Sequence, residues 1–289
     1  MVKKISDLYL DARRALLNRE DPETASFYAR HLLGHVTGKN QAQLISDKEQ
    51  YVGDAICEAM DAGVARLLTG EPLAYVLGEW DFYGMTLYVD KNVLIPRDDT
   101  CAVTDLAIKH GLFLEKDPRI LDLCTGSGCI GLAIASRVKD ARVTLADLSK
   151  DALAVAKKNI MGQHLSGRVR CIEANALETP SAFLGKFDMI VSNPPYITTA
   201  EMAELDGSVK DHEPHMALHG GDDGLEFYRA IAKNYTAALK PGGFLCFEFG
   251  MGQGDAVCTI LEENGYTILE RTRDYNQRER AVLAQWKED

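Results

Sequence analysis

The feature that most limits the architecture of this chain is the order of its apolar segments between residues 119 and 286. Short β-branched runs read as strands at 119–123, 142–146, 169–173 and 187–191, and helical spacing falls between them at 130–138 and 150–160. Strands that alternate with helices predict a mostly parallel sheet covered on both faces, because each parallel crossover must carry the chain back over the sheet. A helix is read over 225–239. Pro241-Gly242-Gly243 then breaks the chain before an apolar strand at 244–249, a helix at 255–264 and strands near 266–271 and 281–286. Two short strands joined without a helix cannot form a parallel crossover, so the sheet is expected to close on an antiparallel hairpin.

The segment before residue 119 has a different rhythm. Apolar residues recur at Ile5, Leu8, Tyr9, Ala12 and Leu16, and again at Ala25, Tyr28, Ala29, Leu32 and Leu33, the spacing of helices with one wet face. Asp21-Pro22 reads as an N-cap followed by proline at the first helical position, with Gly34 or Gly38 as the stop. A third helix is read from 48 to 68, closed by Gly70 and Pro72. Between 77 and 95 aromatic and β-branched residues punctuated by Gly78, Gly84 and Asp90-Lys91-Asn92 predict a hairpin. The expected organisation is α/β, with a helical domain over 1–75, a β-hairpin connector over 76–98 and a larger domain over 99–289. A length of 289 residues suits this division, since domains usually run to about 100–150.

Charge and cysteine usage narrow the function classes. A net charge of −11 argues against a broad basic surface for phosphate backbones, so direct nucleic-acid binding is not expected. Seven cysteines with no Cys-x-x-Cys pair fit reduced thiols rather than a disulfide scaffold or structural metal. No apolar run approaches the roughly 20 residues of a membrane helix, and the start of the chain lacks the apolar core of a signal peptide. A cytoplasmic protein without a membrane partner is the expectation.

Two loops carry chemistry. Asp122-Leu123-Cys124-Thr125-Gly126-Ser127-Gly128-Cys129-Ile130-Gly131 lies between a strand and a helix, where glycines let backbone approach a ligand closely. Gly126-x-Gly128-x-x-Gly131 also satisfies a dinucleotide fingerprint, with Asp147 placed to accept ribose hydroxyls, so this loop leaves the identity of a nucleotide-like cofactor open. The second loop, Asn193-Pro194-Pro195-Tyr196, leaves the strand Phe187–Ser192 at its C-terminal end. Each proline excludes helical angles from the residue before it, so the turn is stiff before any ligand arrives. Such stiffness suits methyl transfer from a sulfonium to an amide or aromatic amino nitrogen, a poor nucleophile whose lone pair is delocalised. The side-chain oxygen of Asn193 and the carbonyl of Pro194 would each accept one N–H and aim that lone pair, while Tyr196 offers a flat face for stacking.

With these residues in hand, the chain resembles the HemK/PrmC family of protein-(glutamine-N5) methyltransferases. The likeness covers nearly the whole chain: Gly70-Glu71-Pro72-Leu73-Ala74-Tyr75, Gly78-Glu79-Trp80-Asp81-Phe82-Tyr83-Gly84, Val93-Leu94-Ile95-Pro96-Arg97, both loops, Gly220-Gly221-x-Asp223-Gly224-Leu225 and Phe247-Glu248-x-Gly250-x-Gly252-Gln253-Gly254. The resemblance implies a Rossmann-like S-adenosylmethionine-dependent methyltransferase acting on the glutamine of the Gly-Gly-Gln motif in peptide-chain release factors. It implies that Cys124, Thr125, Gly126, Ser127 and Gly128 wrap the methionine part of the cofactor, that Asp147 binds its ribose and that Asn175 and Ala176 lie beside its adenine. Asn193, Pro194, Pro195 and Tyr196 would hold the substrate amide, with Asn193 also bordering the cofactor. The chain departs from the family pattern in two places. Arg97 is followed by Asp98-Asp99-Thr100-Cys101 where the family continues Pro-Glu-Thr-Glu, and Asn175 and Ala176 stand where an Asp and a larger side chain are common.

The double-proline turn is shared with adenine-N6 methyltransferases of nucleic acids, so it specifies the chemistry more than the substrate. A nicotinamide-dependent oxidoreductase and a catalytically idle cofactor-binding adaptor are the other readings. His212, His215 and His219 with Asp211 and Glu213 lack metal-ligand spacing and read as a solvated loop. The mixed-sign run from Arg271 to Arg280 reads as a solvated edge.

Overall fold

The computed structural model of the chain describes residues 2–287, so the expected domain limits at Met1 and Asp289 lie outside the described residues. The chain divides into two compact units, one of residues 1–79 with 207–212 and one of 80–206 with 213–289.

The first unit is helical. After β1 (Lys3–Lys4) come α1 (Ile5–Leu16), α2 (Pro22–Thr37), α3 (Gln41–Ser46), β2 (Tyr51–Val52), α4 (Asp54–Leu68) and α5 (Leu73–Leu77). The predicted cap is present: Asp21 accepts hydrogen bonds from the backbone of Glu23 and Thr24, and α2 stops at Gly38 with φ +65°. Leu8, Ala12 and Leu16 of α1, Ala29, Leu32 and Leu33 of α2, and Met60, Val64 and Leu67 of α4 are buried. The third helix starts later than the periodicity suggests. Residues 51–52 pair with Lys3–Lys4 as a two-stranded bridge, so the chain is extended there and α4 begins after Gly53.

In the second unit β3 (Glu79–Phe82) and β4 (Met85–Tyr88) form a two-stranded sheet. Tyr83 and Gly84 between them both have positive φ, the geometry of a type I′ turn that matches strand twist. Then follow α6 (Cys101–Gly111), β5 (Arg119–Leu123), α7 (Cys129–Arg137), β6 (Arg142–Asp147), α8 (Lys150–Gly162), β7 (Val169–Glu173), β8 (Phe187–Ser192), the short α9 (Thr199–Met202) and α10 (Gly207–Lys210, grouped with the first unit), α11 (Glu226–Asn234), β9 (Leu239–Glu248), α12 (Gly254–Glu263), β10 (Tyr266–Arg273) and β11 (Glu279–Trp286).

The large sheet has the order β10-β11-β9-β8-β5-β6-β7. Five strands are parallel, and β10 and β11 close one edge as the expected antiparallel hairpin. Alternate residues of each strand feed opposite faces. Ile120, Val143, Leu145, Met189 and Val191 join one apolar cluster with α6, α7 and α8, whereas Leu121, Leu123, Ile190 and Leu245 join another with α11 and α12.

Pro241-Gly242-Gly243 does not end a helix ahead of a fresh strand as the sequence suggests. The helix stops at Asn234, a 3-10 turn spans Tyr235–Ala238, and β9 already begins at Leu239. Leu239 pairs with Phe187 and Phe244 with Met189, so the intervening residues bulge out of the ladder, as an imide without an N–H requires. Lys240 holds both oxygens of Asp188 at 2.7 and 2.8 Å across this bulge.

One buried side chain links the hairpin to the sheet. Asn159 of α8 accepts from Tyr88 N at 2.7 Å and donates to Tyr88 O at 3.0 Å and to Ser127 O at 2.9 Å. It is 3% exposed, so removing it strands three backbone groups away from water. Asn159→Ala is expected to lower the unfolding free energy by about 2–4 kcal/mol, measured by urea denaturation.

Candidate active site

Strand register sets the geometry. Leu123 pairs with Ala146 on one side and Ser192 on the other, Ser192 pairs with Phe247, and Asp147 pairs with Glu173. The C-terminal ends of β5, β6, β7, β8 and β9 are therefore level, and the loops that leave them share one edge. Between β5 and β8 the strand order reverses, the position at which open parallel sheets leave a crevice for ligands. The glycine loop and the double-proline turn leave the two strands, β5 and β8, that flank this switch point.

Cys124 begins the glycine loop at φ +61°, a left-handed conformation unusual outside glycine, and Gly126 and Gly128 follow at +53° and +86°. The strain is held by a hydrogen-bond set beneath it. Asp122 Oδ2 accepts from Thr125 Oγ1 at 2.6 Å and from Gly131 N at 2.9 Å, while Thr125 N donates to Ala146 O at 3.0 Å. Asp147 Oδ2 accepts from Gly126 N at 2.9 Å and its Oδ1 from Ser149 N at 2.9 Å. Each acid thus ties the loop to the sheet. Burial pushes the Asp122 carboxyl up to about 7 against the pull of those two donors. Asp147 is also raised, chiefly by burial, with the N–H groups of Ser149, Gly126 and Leu148 opposing.

The residues fit the ligand that the loop suggests. A Cβ placed on Gly126 would meet nothing within 4 Å, so the loop faces open space, and the buried Ser127 Oγ has no hydrogen-bond partner. Asp147 keeps lone pairs for ribose hydroxyls, and Leu148 beside it is 48% exposed, an apolar surface for a base. Asn175 lies in a turn of its own: Oδ1 accepts from Leu177 N and Nδ2 donates to Glu178 Oε1. Ala176 is buried among the apolar residues of one face.

Asn193 to Tyr196 cross the same edge under tight restraint. A Cβ on Gly220 would fall 2.6 Å from Pro195 O and from Tyr196 Cα, so only glycine permits this backbone approach. Ile197 N donates to Leu218 O, Gly220 N to Ile197 O, and Gln253 Nε2 to Tyr196 O at 3.0 Å. Burial, with Glu248 nearby, raises the Tyr196 phenol, which stays neutral. Asn193 Nδ2 faces inward, 3.4 Å from Thr100 Oγ1.

Beneath this turn lies a set of buried charges, two of which, Arg280 and Glu213, pattern reading assigned to solvent. Arg280 is 6% exposed and meets Asp99 at 2.9 Å and Asp274 at 3.6 Å, with a further hydrogen bond to Phe249 O. It is no solvated edge: β11 is an inner strand of the sheet, and Arg280 begins its buried run. Glu213 is 4% exposed, paired with Arg97 and accepting from Ile95 N at 3.2 Å, so the histidine-rich loop is anchored by its one buried acid. Glu248, at 1% exposure, ends β9 beside Thr100 and Asn193. A charged residue closing an apolar strand was the available signal for it.

A mostly parallel seven-stranded sheet with a strained glycine loop, a following acid and a proline-stiffened Asn–Tyr turn at its switch point defines a Rossmann-like methyltransferase. A family model described as "Methyltransferase small domain" matches residues 104–206, and one described as "PrmC N-terminal domain" matches residues 7–78. A release factor glutamine methyltransferase of Clostridium acetobutylicum is 36% identical over 97% of this chain and 98% of its own length. Another, of Chlorobaculum tepidum, is 41% identical over 87% of each chain. The solved methyltransferase of Pyrococcus furiosus, 17% identical, matches the fold with a TM-score of 0.51 over 78% of this chain and 98% of that one. The chain belongs to the release factor glutamine methyltransferase family.

Asp122 makes one property of this site measurable. Its folded-state pKa lies above the ordinary carboxylate value, so its contribution to stability is fullest at acid pH and is lost as pH rises from about 4 towards 7. Relative to the wild type, Asp122→Asn is expected to gain a few kcal/mol in unfolding free energy between pH 4.5 and pH 7.5. Urea midpoints at the two pH values check it, and an unchanged difference would show that Asp122 titrates normally.

Proposed function

We propose that this chain transfers the methyl group of S-adenosylmethionine to the side-chain amide nitrogen, N5, of the glutamine in the Gly-Gly-Gln motif of peptide-chain release factors. The observation that carries the reading is the placing of Asn193 to Tyr196 at the switch point opposite the glycine loop, with the Asn193 amide nitrogen turned inward towards Thr100. That leaves its oxygen for a substrate N–H. Support for the substrate comes from the two relatives that bear this activity in their names and align along nearly the whole chain.

Under this reading Cys124 to Gly128 wrap the methionine part of the cofactor and Asp147 accepts from its ribose hydroxyls. The Asn175 side chain is committed to its own turn, so Leu148 and the backbone around Asn175 and Ala176 would be the groups that hold an adenine. When bound, S-adenosylmethionine supplies a sulfonium methyl, an electrophile that needs no acid to leave its sulfur. Asn193 Oδ1 and the Pro194 carbonyl each accept one N–H of the glutamine, which holds the NH₂ as it becomes tetrahedral and stabilises its developing positive charge. The nitrogen gains the methyl and releases one proton to solvent. Tyr196, neutral and half-buried, stacks on the planar amide. The helical unit of residues 1–79 serves as the docking module for the release factor.

Incubation with methyl-labelled cofactor and a bacterial-type release factor is expected to place label on the glutamine of its Gly-Gly-Gln motif. No label at saturating protein would refute the substrate. Asn193→Ala is expected to reduce kcat by at least about 100-fold while leaving the cofactor Kd within about threefold, since one transition-state hydrogen bond is lost. Equal loss of binding and turnover would assign Asn193 to cofactor binding instead.

A further inference from the structure

Asn193 has to present its oxygen, not its nitrogen, to an amide N–H, yet the two ends of a carboxamide have nearly the same shape. Only hydrogen-bonding neighbours decide which end points out. Among the described residues, the ones behind Asn193 are Thr100 and Glu248. Asn193 Nδ2 lies 3.4 Å from Thr100 Oγ1, and both side chains turn to the Glu248 carboxyl, whose Oε2 is buried without a hydrogen-bond partner.

We propose that Glu248 is a positioning residue for methyl transfer, which sets the orientation of the Asn193 amide directly and through the Thr100 hydroxyl. The proposal rests on the amide-methylation reading above. An ionised carboxylate is acceptor-only, so the Thr100 O–H must donate to it, which leaves a lone pair of Thr100 Oγ1 facing Asn193. Asn193 can meet that lone pair and the carboxylate only with its NH₂. Its Oδ1 is thereby turned to the substrate. A protonated Glu248 carries an O–H, frees the Thr100 hydroxyl to rotate and lets the Asn193 amide settle the other way round.

The site is built to hold this carboxyl. Thr100 is 2% exposed at the end of the Asp98–Thr100 turn, and its carbonyl accepts from Thr104 Oγ1 at 2.8 Å. Asp99 in the same turn is held by Arg280 of β11. Glu248 O accepts from Tyr228 Oη at 2.9 Å, which fixes the backbone at the end of β9. The ionisable groups that face the carboxyl are Arg280, which favours its charge, Asp99, which opposes it, and the neutral Tyr196, Tyr228, Cys101 and Cys129. Burial, the largest influence, pushes Glu248 up to about 7, so its ionisation changes across the neutral range.

The test compares kcat and KM of Glu248→Gln, Thr100→Val and Thr100→Ser with those of the wild type, using a release factor as substrate. A glutamine at 248 offers an N–H as well as an oxygen, so it no longer selects one end of Asn193. Glu248→Gln is expected to lose at least about tenfold in kcat at pH 8, with KM and cofactor Kd within about threefold. The deficit should shrink towards pH 6, because there the wild type loses its own carboxylate; taking the ratio of the two enzymes cancels any contribution of Asp122. Thr100→Val is expected to fall similarly at pH 8 and Thr100→Ser to stay within about threefold of wild type, since serine keeps the relaying hydroxyl. Wild-type kcat in Glu248→Gln, or a deficit independent of pH, would overturn the proposal. If Glu248→Gln does not fold, the Thr100 pair decides: equal activity of the valine and serine variants overturns it. A wild type that labels no release factor would instead count against the substrate assignment.

Discussion

The ladder of backbone hydrogen bonds that pairs β5 with β6 on one side and with β8 on the other underlies everything at the functional edge. Because Leu123, Ala146, Ser192 and Phe247 stand at one level, residues more than a hundred positions apart in sequence come to share one edge of the sheet. A slip of one residue in β8 would turn Ile190 from one apolar cluster to the other and move Asn193 along the edge, so burial of both sheet faces also fixes the site's register. The strained backbone at Cys124 survives because this frame holds it, through Asp122 from below and Asp147 from the side.

Under the double-proline turn the protein places a layer of charge that is buried yet paired. The buried Arg280 joins Asp99 and Asp274, and the buried Glu213 is met by the half-exposed Arg97, so each charge that leaves water here has an opposite charge beside it. This layer accounts for the departure Asp98-Asp99-Thr100-Cys101. The acid at 99, an Asp in place of Glu, meets Arg280 and the threonine kept at 100 meets Asn193, while positions 98 and 101, which lose the proline and the second Glu, flank those contacts.

Much of the frame was legible because it follows from local rules. The short, largely apolar runs at 119–123, 142–146 and 187–191 form parallel strands covered on both faces, and Asp21-Pro22 and Gly38 bound α2 as cap and stop. Where local and long-range demands differ, the reading failed. Helical spacing begins at 48, but pairing of Tyr51–Val52 with Lys3–Lys4 keeps that stretch extended. Pro241-Gly242-Gly243 looks like a break, yet the ladder with β8 resumes beyond it and absorbs the imide as a bulge. Arg280 and Glu213 looked solvated because charge alone favours water; their partners at 99 and 97 lie far off in the chain.

The glycine loop, the acid at 147 and the Asn-Pro-Pro-Tyr turn were determined by sequence alone, because positive φ, imide geometry and strand periodicity are properties of a few neighbouring residues. The same holds for the α/β class. Tertiary structure alone decided which buried groups stand behind Asn193, and so which end of its amide faces outward. Thr100 and Glu248 are separated from it by 93 and 55 positions, and their proximity depends on where three chain segments end against one another. No periodicity encodes that meeting, since burial of an acid requires partners that only the packed sheet brings within reach.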